Sequence, residues 1–217
     1  MAEHYYSKNQ SVDSKPKFWD FELRNVKFRF KSDNGVFSKS EVDFGSRVLI
    51  DSFQIPSING DVLDVGCGYG PIGLSLAKLM PERTVHMVDV NERALELSRE
   101  NAHLNHVSNV KVYESDRLMN IEQNEFAAIV TNPPIRAGKQ VIFDIYEQSY
   151  EKLSSGGSLW VVIQKKQGAP STMDKLESLF GNVEVVTKEK GYFILHSKKD
   201  WLDKTRMLVL YNANVFF

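Results

Sequence analysis

The chain has 217 residues, 42% of them hydrophobic, with 27 Lys and Arg against 28 Asp and Glu for a formal net charge of -1. That length supports one sizeable core, at roughly 100–200 residues per domain, with an appendage rather than a second full domain, and the charge excludes a uniformly basic nucleic-acid binder. A single cysteine, Cys67, excludes an internal disulfide, and no apolar run reaches the roughly 18 residues of a membrane span or follows a signal-peptide pattern, so a cytoplasmic protein is expected.

Residues 1–17 are polar, rich in turn formers and without apolar periodicity, apart from the pair Tyr5-Tyr6. Trp19, Phe21 and Leu23, then Val26, Phe28 and Phe30, alternate on either side of Arg24-Asn25, a pattern that predicts a β-hairpin. A turn follows at Ser32-Asp33-Asn34-Gly35, and Val48, Leu49 and Phe53 recur at helical spacing between Gly45 and Gln54. Residues 1–44 are therefore read as an extension with a hairpin, 45–199 as the main domain and 200–217 as a tail.

From Val62 onward short apolar runs alternate with amphipathic segments, which predicts an α/β fold: a mostly parallel sheet covered by helices on both faces. Strands are expected near 61–66, 84–89, 109–113, 126–131, 157–164, 182–188 and 191–197, seven in all. Helices are marked by Ile72, Ser75, Leu76 and Leu79, by Ala94, Leu95, Ser98 and Ala102 behind the N-cap candidate Asn91, by the Val141–Leu153 stripe, and by Pro170–Phe180. The link between the last two strands is too short for a crossover helix, so the final strand must run antiparallel. The tail contains a strand-like Met207–Tyr211.

Asp64-Val65-Gly66-Cys67-Gly68-Tyr69-Gly70 follows a strand and opens a helix, where glycines let backbone amides approach a nucleotide-like ligand. Gly68, Gly70 and Gly73 also satisfy GxGxxG, and Asp89, followed by Val90, lies at a strand end where a ribose-binding acid is expected, so a nicotinamide dinucleotide is an open alternative. Asp64 favours the sulfonium cofactor S-adenosylmethionine, because a carboxylate there suits an ammonium group and repels a pyrophosphate. Asp116, just after the third strand, is a candidate acceptor for the adenine amino group.

Asn132-Pro133-Pro134 ends the strand at 126–131, since proline cannot donate to the sheet, and places a rigid backbone at the edge where ligands bind in open α/β sheets. An amine conjugated to a ring or carbonyl has a delocalised lone pair. If the Asn132 side-chain oxygen and the Pro133 carbonyl each accept one of its N–H groups, the lone pair is aimed at the methyl donor and the positive charge developing on nitrogen is stabilised. None of the five histidines, His4, His86, His103, His106 and His196, shows metal-ligand spacing, and no metal is expected.

Gly35-Val36-Phe37-Ser38 with Val42-Asp43-Phe44-Gly45-Ser46, the run from Val62 to Gly70, and Asn132-Pro133-Pro134-Ile135-Arg136-Ala137-Gly138-Lys139 together resemble the RsmC family of ribosomal RNA guanine-N2 methyltransferases, especially its short single-domain relatives, over roughly residues 35–197. The resemblance implies a class I methyltransferase fold and S-adenosylmethionine as cofactor. It also implies that Phe37 and Ser38 help enclose that cofactor, that Asp64 to Gly70 and Asp89 bind it, and that Asn132 to Ile135 form the target pocket. The implied partner is RNA, 16S rRNA or the small ribosomal subunit. Where better-known members carry an aromatic after the prolines, this chain has Ile135, whose apolar face stacks less well on a flipped base. Arg136, Lys139, Lys165, Lys166, Lys188 and Lys190 all fall in loops at the carboxyl ends of strands, a basic rim suited to phosphates. Transfer to a protein glutamine or to adenine N6, a dehydrogenase, and a non-catalytic RNA-binding assembly factor remain the alternatives.

Overall fold

The computed structural model describes residues 13–36, 38 and 40–200; Tyr5, Tyr6, Phe37 and the Met207–Tyr211 run lie outside them. Strands β1 (Lys17–Leu23) and β2 (Val26–Ser32) form the expected antiparallel hairpin, with Trp19 opposite Phe30 and Phe21 opposite Phe28. Its two-residue turn has Arg24 and Asn25 at φ 48° and 61°, the double positive φ whose twist matches the flanking strands. Period-two alternation gathers Trp19, Phe21, Leu23, Phe28 and Phe30 on one face, with Leu23, Phe28 and Phe30 buried.

A seven-stranded sheet follows, formed by β3 (Val62–Val65), β4 (Val85–Asp89), β5 (Val110–Glu114), β6 (Phe126–Thr131), β7 (Leu153–Gln164), β8 (Glu184–Glu189) and β9 (Tyr192–Lys198). The strand order is β5-β4-β3-β6-β7-β9-β8, and only β9 runs against its neighbours, because the Lys190-Gly191 link is too short to carry the chain back across the sheet. β7 begins four residues earlier than its apolar run predicts: Leu153 pairs with Phe126, and a register shift between Phe126 and Ala128 absorbs the polar residues that hide this part of the strand.

The helices are α1 (Phe44–Ser52), α2 (Pro71–Leu79), α3 (Glu92–Leu104), α4 (Lys139–Lys152) and α5 (Ala169–Phe180). Alternation along the strands splits the core in two. Val62, Val85, Met87, Ala128, Val130 and Trp160 pack with the hairpin and α1 to α3. Leu63, Val65, Ile129, Leu159, Val161 and Ile163 pack with α4 and α5. β3 and β6 are buried along their whole length, as central parallel strands are.

The outer edge of β2 is closed by side chains. Asn101 of α3 accepts the Lys31 N–H at 2.7 Å and donates to the Lys31 carbonyl at 2.9 Å; one turn on, Asn105 does the same for Arg29 at 2.8 and 2.8 Å. Two amides at i and i+4 thus take the place of a neighbouring strand, and this part of the hairpin edge has no unpaired backbone to offer another chain.

Candidate active site

The chain moves outward from β3 through β4 to β5, then returns to β6 and β7 on the other side of β3. Crevices form outside the carboxyl ends of strands at such a reversal, and a cavity of about 710 Å³ opens between the ends of β3 and β6.

One half is the glycine loop. Gly66 and Cys67 both donate their N–H to the Val88 carbonyl, at 2.9 and 3.0 Å, which pins the loop to β4. Gly66 and Gly68 have φ of 77° and 57°, line the cavity, and have only open space where a side chain would project. Asp89 at the end of β4 accepts the Gly68 N–H at 2.9 Å and the Asn91 N–H at 2.9 Å, so the carboxylate is fixed while still bordering the cavity. Burial raises its pKa above the ordinary carboxylate value. α3 secures the loop from outside: Ser98 Oγ donates to the Gly68 carbonyl at 2.8 Å and Asn101 Nδ2 to the Tyr69 carbonyl at 2.8 Å. Val90, Asn91, Ser115, Asp116 and Arg117 complete this half; Asp116 pairs with Arg117 at 2.9 Å, and Arg117 with Asp144 at 2.7 Å.

Two expected ligand residues face elsewhere. Asp64 is fully buried and absent from the cavity wall; its Oδ2 accepts the Gly73 N–H at 2.8 Å while Oδ1 has no hydrogen-bond partner among the described residues. Strand alternation places Asp64 on the Val62 face, beneath α2, so the carboxylate anchors that helix behind the loop. Burial, with the charge of Asp89 added, pushes its pKa up to about 7. Gly70 is turned inward as the N-cap of α2, against Met87, Leu74 and Ser98.

The segment after the hairpin crosses above the loop. Asn91 Nδ2 donates to the Gly35 carbonyl at 3.0 Å, Arg93 to that of Asn34 at 2.8 Å, and the Tyr69 hydroxyl to that of Glu41 at 3.2 Å. Val36 and Ser38 thereby join the cavity wall, while Phe37 is outside the described residues.

The other half begins where β6 stops. Asn132, Pro133, Pro134, Ile135 and Arg136 all line the cavity, and Ile135–Ala137 forms a single 3-10 turn in which the Ala137 N–H takes the Pro134 carbonyl at 2.9 Å. Neither Asn132 Oδ1 nor the Pro133 carbonyl accepts a hydrogen bond from a described residue. The Asn132 amide group donates instead to Asp43 Oδ2 at 2.8 Å and to Ser46 Oγ at 3.0 Å. This explains the Asp43-Phe44-Gly45-Ser46 run. Asp43 caps α1 through the N–H groups of Gly45 and Ser46, Phe44 packs 5.6 Å from Tyr192, and a side chain on Gly45 would lie 2.7 Å from the Tyr192 ring.

Gln164, Gln167 and Tyr192 also line this half, and sequence reasoning missed them. Gln164 and Tyr192 are cross-strand partners at the end of β7 and the start of β9, a proximity that only the inserted β9 creates. Of the six residues expected to form a basic rim, Arg136 alone borders the cavity. Lys139 begins α4, Lys165 and Lys166 form a 3-10 turn with Gln167 after β7, Lys190 lies in the β8–β9 turn, and Lys188 is not in a loop but within β8, paired with Phe193. The Lys165 N–H donates to the Gly191 carbonyl at 2.9 Å, tying two of these loops together outside the mouth. Among the described residues no three His, Cys, Asp or Glu side chains cluster as metal ligands, and no helix is long and apolar enough to cross a membrane.

The family model described as methyltransferase small domain matches residues 27–196. The chain is 61% identical over 200 residues to the Bacillus subtilis (strain 168) protein YbxB, covering 92% of this chain and 100% of that one. It is 33% identical over 187 residues to the ribosomal RNA small subunit methyltransferase C of Vibrio cholerae serotype O1, covering 84% of this chain and 53% of the relative. The chain thus spans about half the length of the curated methyltransferase C proteins it matches. In fold it is similar to the T. thermophilus 16S rRNA N2 G1207 methyltransferase (RsmC), described in complex with AdoMet and guanosine, with TM-score 0.77, 24% identity, and coverage of 88% of this chain and 52% of that one.

Proposed function

The chain belongs to the methyltransferase small domain family, and from that premise we propose that it methylates the exocyclic N2 amine of a guanine in the ribosomal RNA of the small subunit. The observation that carries this reading is the pair of unengaged acceptors, Asn132 Oδ1 and the Pro133 carbonyl, at the end of β6 across the cavity from the glycine loop and Asp89.

S-adenosylmethionine is the cofactor, and it supplies a methyl group bound to a positively charged sulfur. The lining fits such a group: a volume of about 710 Å³ suits a nucleoside with a target beside it, and Gly66 and Gly68 leave their side of the wall clear. Asp89, with Val90 beside it, would accept from the ribose hydroxyls, Asp116 would meet the adenine end, and Ser38 and Val36 would enclose the group. Asp64 contributes indirectly, by holding the α2 end of the loop.

Asn132 Oδ1 and the Pro133 carbonyl each accept one N–H of the target amine, which turns its lone pair out of conjugation and towards the methyl carbon. The nitrogen held in this way would take the methyl group that the bound cofactor supplies, and one N–H proton would then leave to solvent. The acceptors stabilise the charge on nitrogen meanwhile, so no strong base is needed. Gln164 and Gln167 can both donate and accept, as the Watson–Crick edge of guanine requires, and Tyr192 and Ile135 offer ring and apolar faces for the base. Arg136 and the lysines outside the mouth bind RNA phosphates. The relative named ribosomal RNA small subunit methyltransferase C supports the choice of RNA.

Mass-spectrometric mapping of ribosomal RNA from cells with and without the gene tests the reading. The expected result is one N2-methylguanosine in 16S rRNA that disappears with the gene and with Asn132→Ala. Unchanged rRNA, or a lost N6-methyladenosine in place of the N2-methylguanosine, overturns it.

A further inference from the structure

We infer that Asp43 is a positioning residue for methyl transfer: it fixes which edge of the Asn132 amide faces the target amine. The inference rests on the reading of Asn132 as the acceptor that holds that amine.

A side-chain amide presents a carbonyl edge and an NH2 edge of nearly the same shape, and only the carbonyl edge can accept from an amine. Something must choose between the two. Asp43 Oδ2 lies 2.8 Å from Asn132 Nδ2 and Ser46 Oγ lies 3.0 Å from it, although Asp43 and Ser46 stand 89 and 86 residues away in sequence. The hydroxyl is indifferent, since it both donates and accepts, but the carboxylate is acceptor-only. Turning the amide over would set its carbonyl oxygen against a carboxylate oxygen.

Asp43 is itself held fast. Its Oδ1 accepts the Gly45 N–H at 3.0 Å and its Oδ2 the Ser46 N–H at 2.9 Å, at the N-terminus of a nine-residue helix whose dipole favours negative charge there. The Asp43-Phe44-Gly45-Ser46 run is therefore part of the transfer machinery without touching the reacting atoms.

The test exploits the fact that a carboxylate at position 132 could also accept from the target amine. Asn132→Asp alone places two carboxylates in contact and is expected to lower kcat for labelled methyl transfer to small ribosomal subunits by about 100-fold. Adding Asp43→Asn removes the second negative charge from that contact, and the double variant is expected to recover at least about tenfold of that loss. Asp43→Asn by itself lets Asn132 sample both orientations and should lower kcat by roughly three- to tenfold, with S-adenosylmethionine affinity and melting temperature little changed, since Asn caps helices as well as Asp. If Asp43 only caps α1, the two substitutions add their losses, and that result overturns the proposal.

A second measurement needs no substrate. In the full chain, through-hydrogen-bond coupling between the Asn132 side-chain nitrogen and the Asp43 carboxylate carbon is expected, and its absence also overturns the proposal. Should the wild type transfer no methyl group to small subunits, the RNA reading fails by itself while this coupling still decides the orientation.

Discussion

The Asp89 carboxylate accepts the Gly68 N–H at 2.9 Å, so the acid ending β4 and the glycine loop following β3 form one rigid unit. Asp89→Ala removes the acceptor proposed for the ribose and frees the loop together. Calorimetry is expected to show S-adenosylmethionine bound about 10- to 100-fold more weakly, roughly 1.4 to 2.8 kcal/mol. An affinity within twofold of wild type would place the cofactor elsewhere.

The Asp64 carboxyl has a pKa pushed up to about 7 from an ordinary value of 3.8, because burial disfavours its charge. The folded state therefore holds a proton that the unfolded chain gives up. The resulting stabilisation is present below about pH 4, fades as pH rises to about 7, and is absent above it. Asp64→Asn cannot titrate, so its urea-unfolding free energy is expected to gain on wild type steadily from pH 4 to 7, whatever fixed offset the amide introduces. Parallel curves for the two proteins would show that the carboxyl titrates normally.

Asn101 and Asn105 complete the open edge of β2, each through a paired donor and acceptor. At about 0.5–1.5 kcal/mol per hydrogen bond, losing the four bonds by replacing both residues with Ala is expected to cost roughly 2–6 kcal/mol in denaturant unfolding. Amide exchange at Arg29 and Lys31 should accelerate far more than in β6. Unchanged protection of those two amides would mean that the hairpin is held by its apolar face alone.

Lys165 and Lys166 stand outside the cavity, so substituting them tests the proposed RNA contact separately from cofactor binding. Charge reversal of both to Glu is expected to weaken binding of small-subunit RNA and to flatten its dependence on salt by about two units of log-log slope, leaving cofactor affinity intact. Equal RNA affinity would assign the phosphate contacts to other residues.

Much of this was legible because local rules and the fold agree. Alternation on either side of Arg24-Asn25 marked the hairpin, and the apolar runs marked β3 to β6. The short Lys190-Gly191 link required an antiparallel β9, and Asn132-Pro133-Pro134 marked the end of the strand that meets the cavity. Asp64 faces α2 rather than the cavity, an orientation already carried by its parity with Val62 along β3. Asp43, Ser46, Gln164, Gln167 and Tyr192 are a different case. Their roles depend on contacts across 86 or 89 residues, or on β9 slipping between β7 and β8, and no local pattern encodes those distances.

Asn101 divides its amide hydrogens between the Lys31 carbonyl of the hairpin and the Tyr69 carbonyl of the glycine loop. Trp19 and Phe30 reach the same Tyr69 ring, with centroids 5.9 and 5.7 Å away. The hairpin is therefore not a detachable module. A chain trimmed to begin after Ser32 would strip the support from one wall of the cofactor cavity, and whoever grafts this domain onto another protein must carry the hairpin along or rebuild position 101.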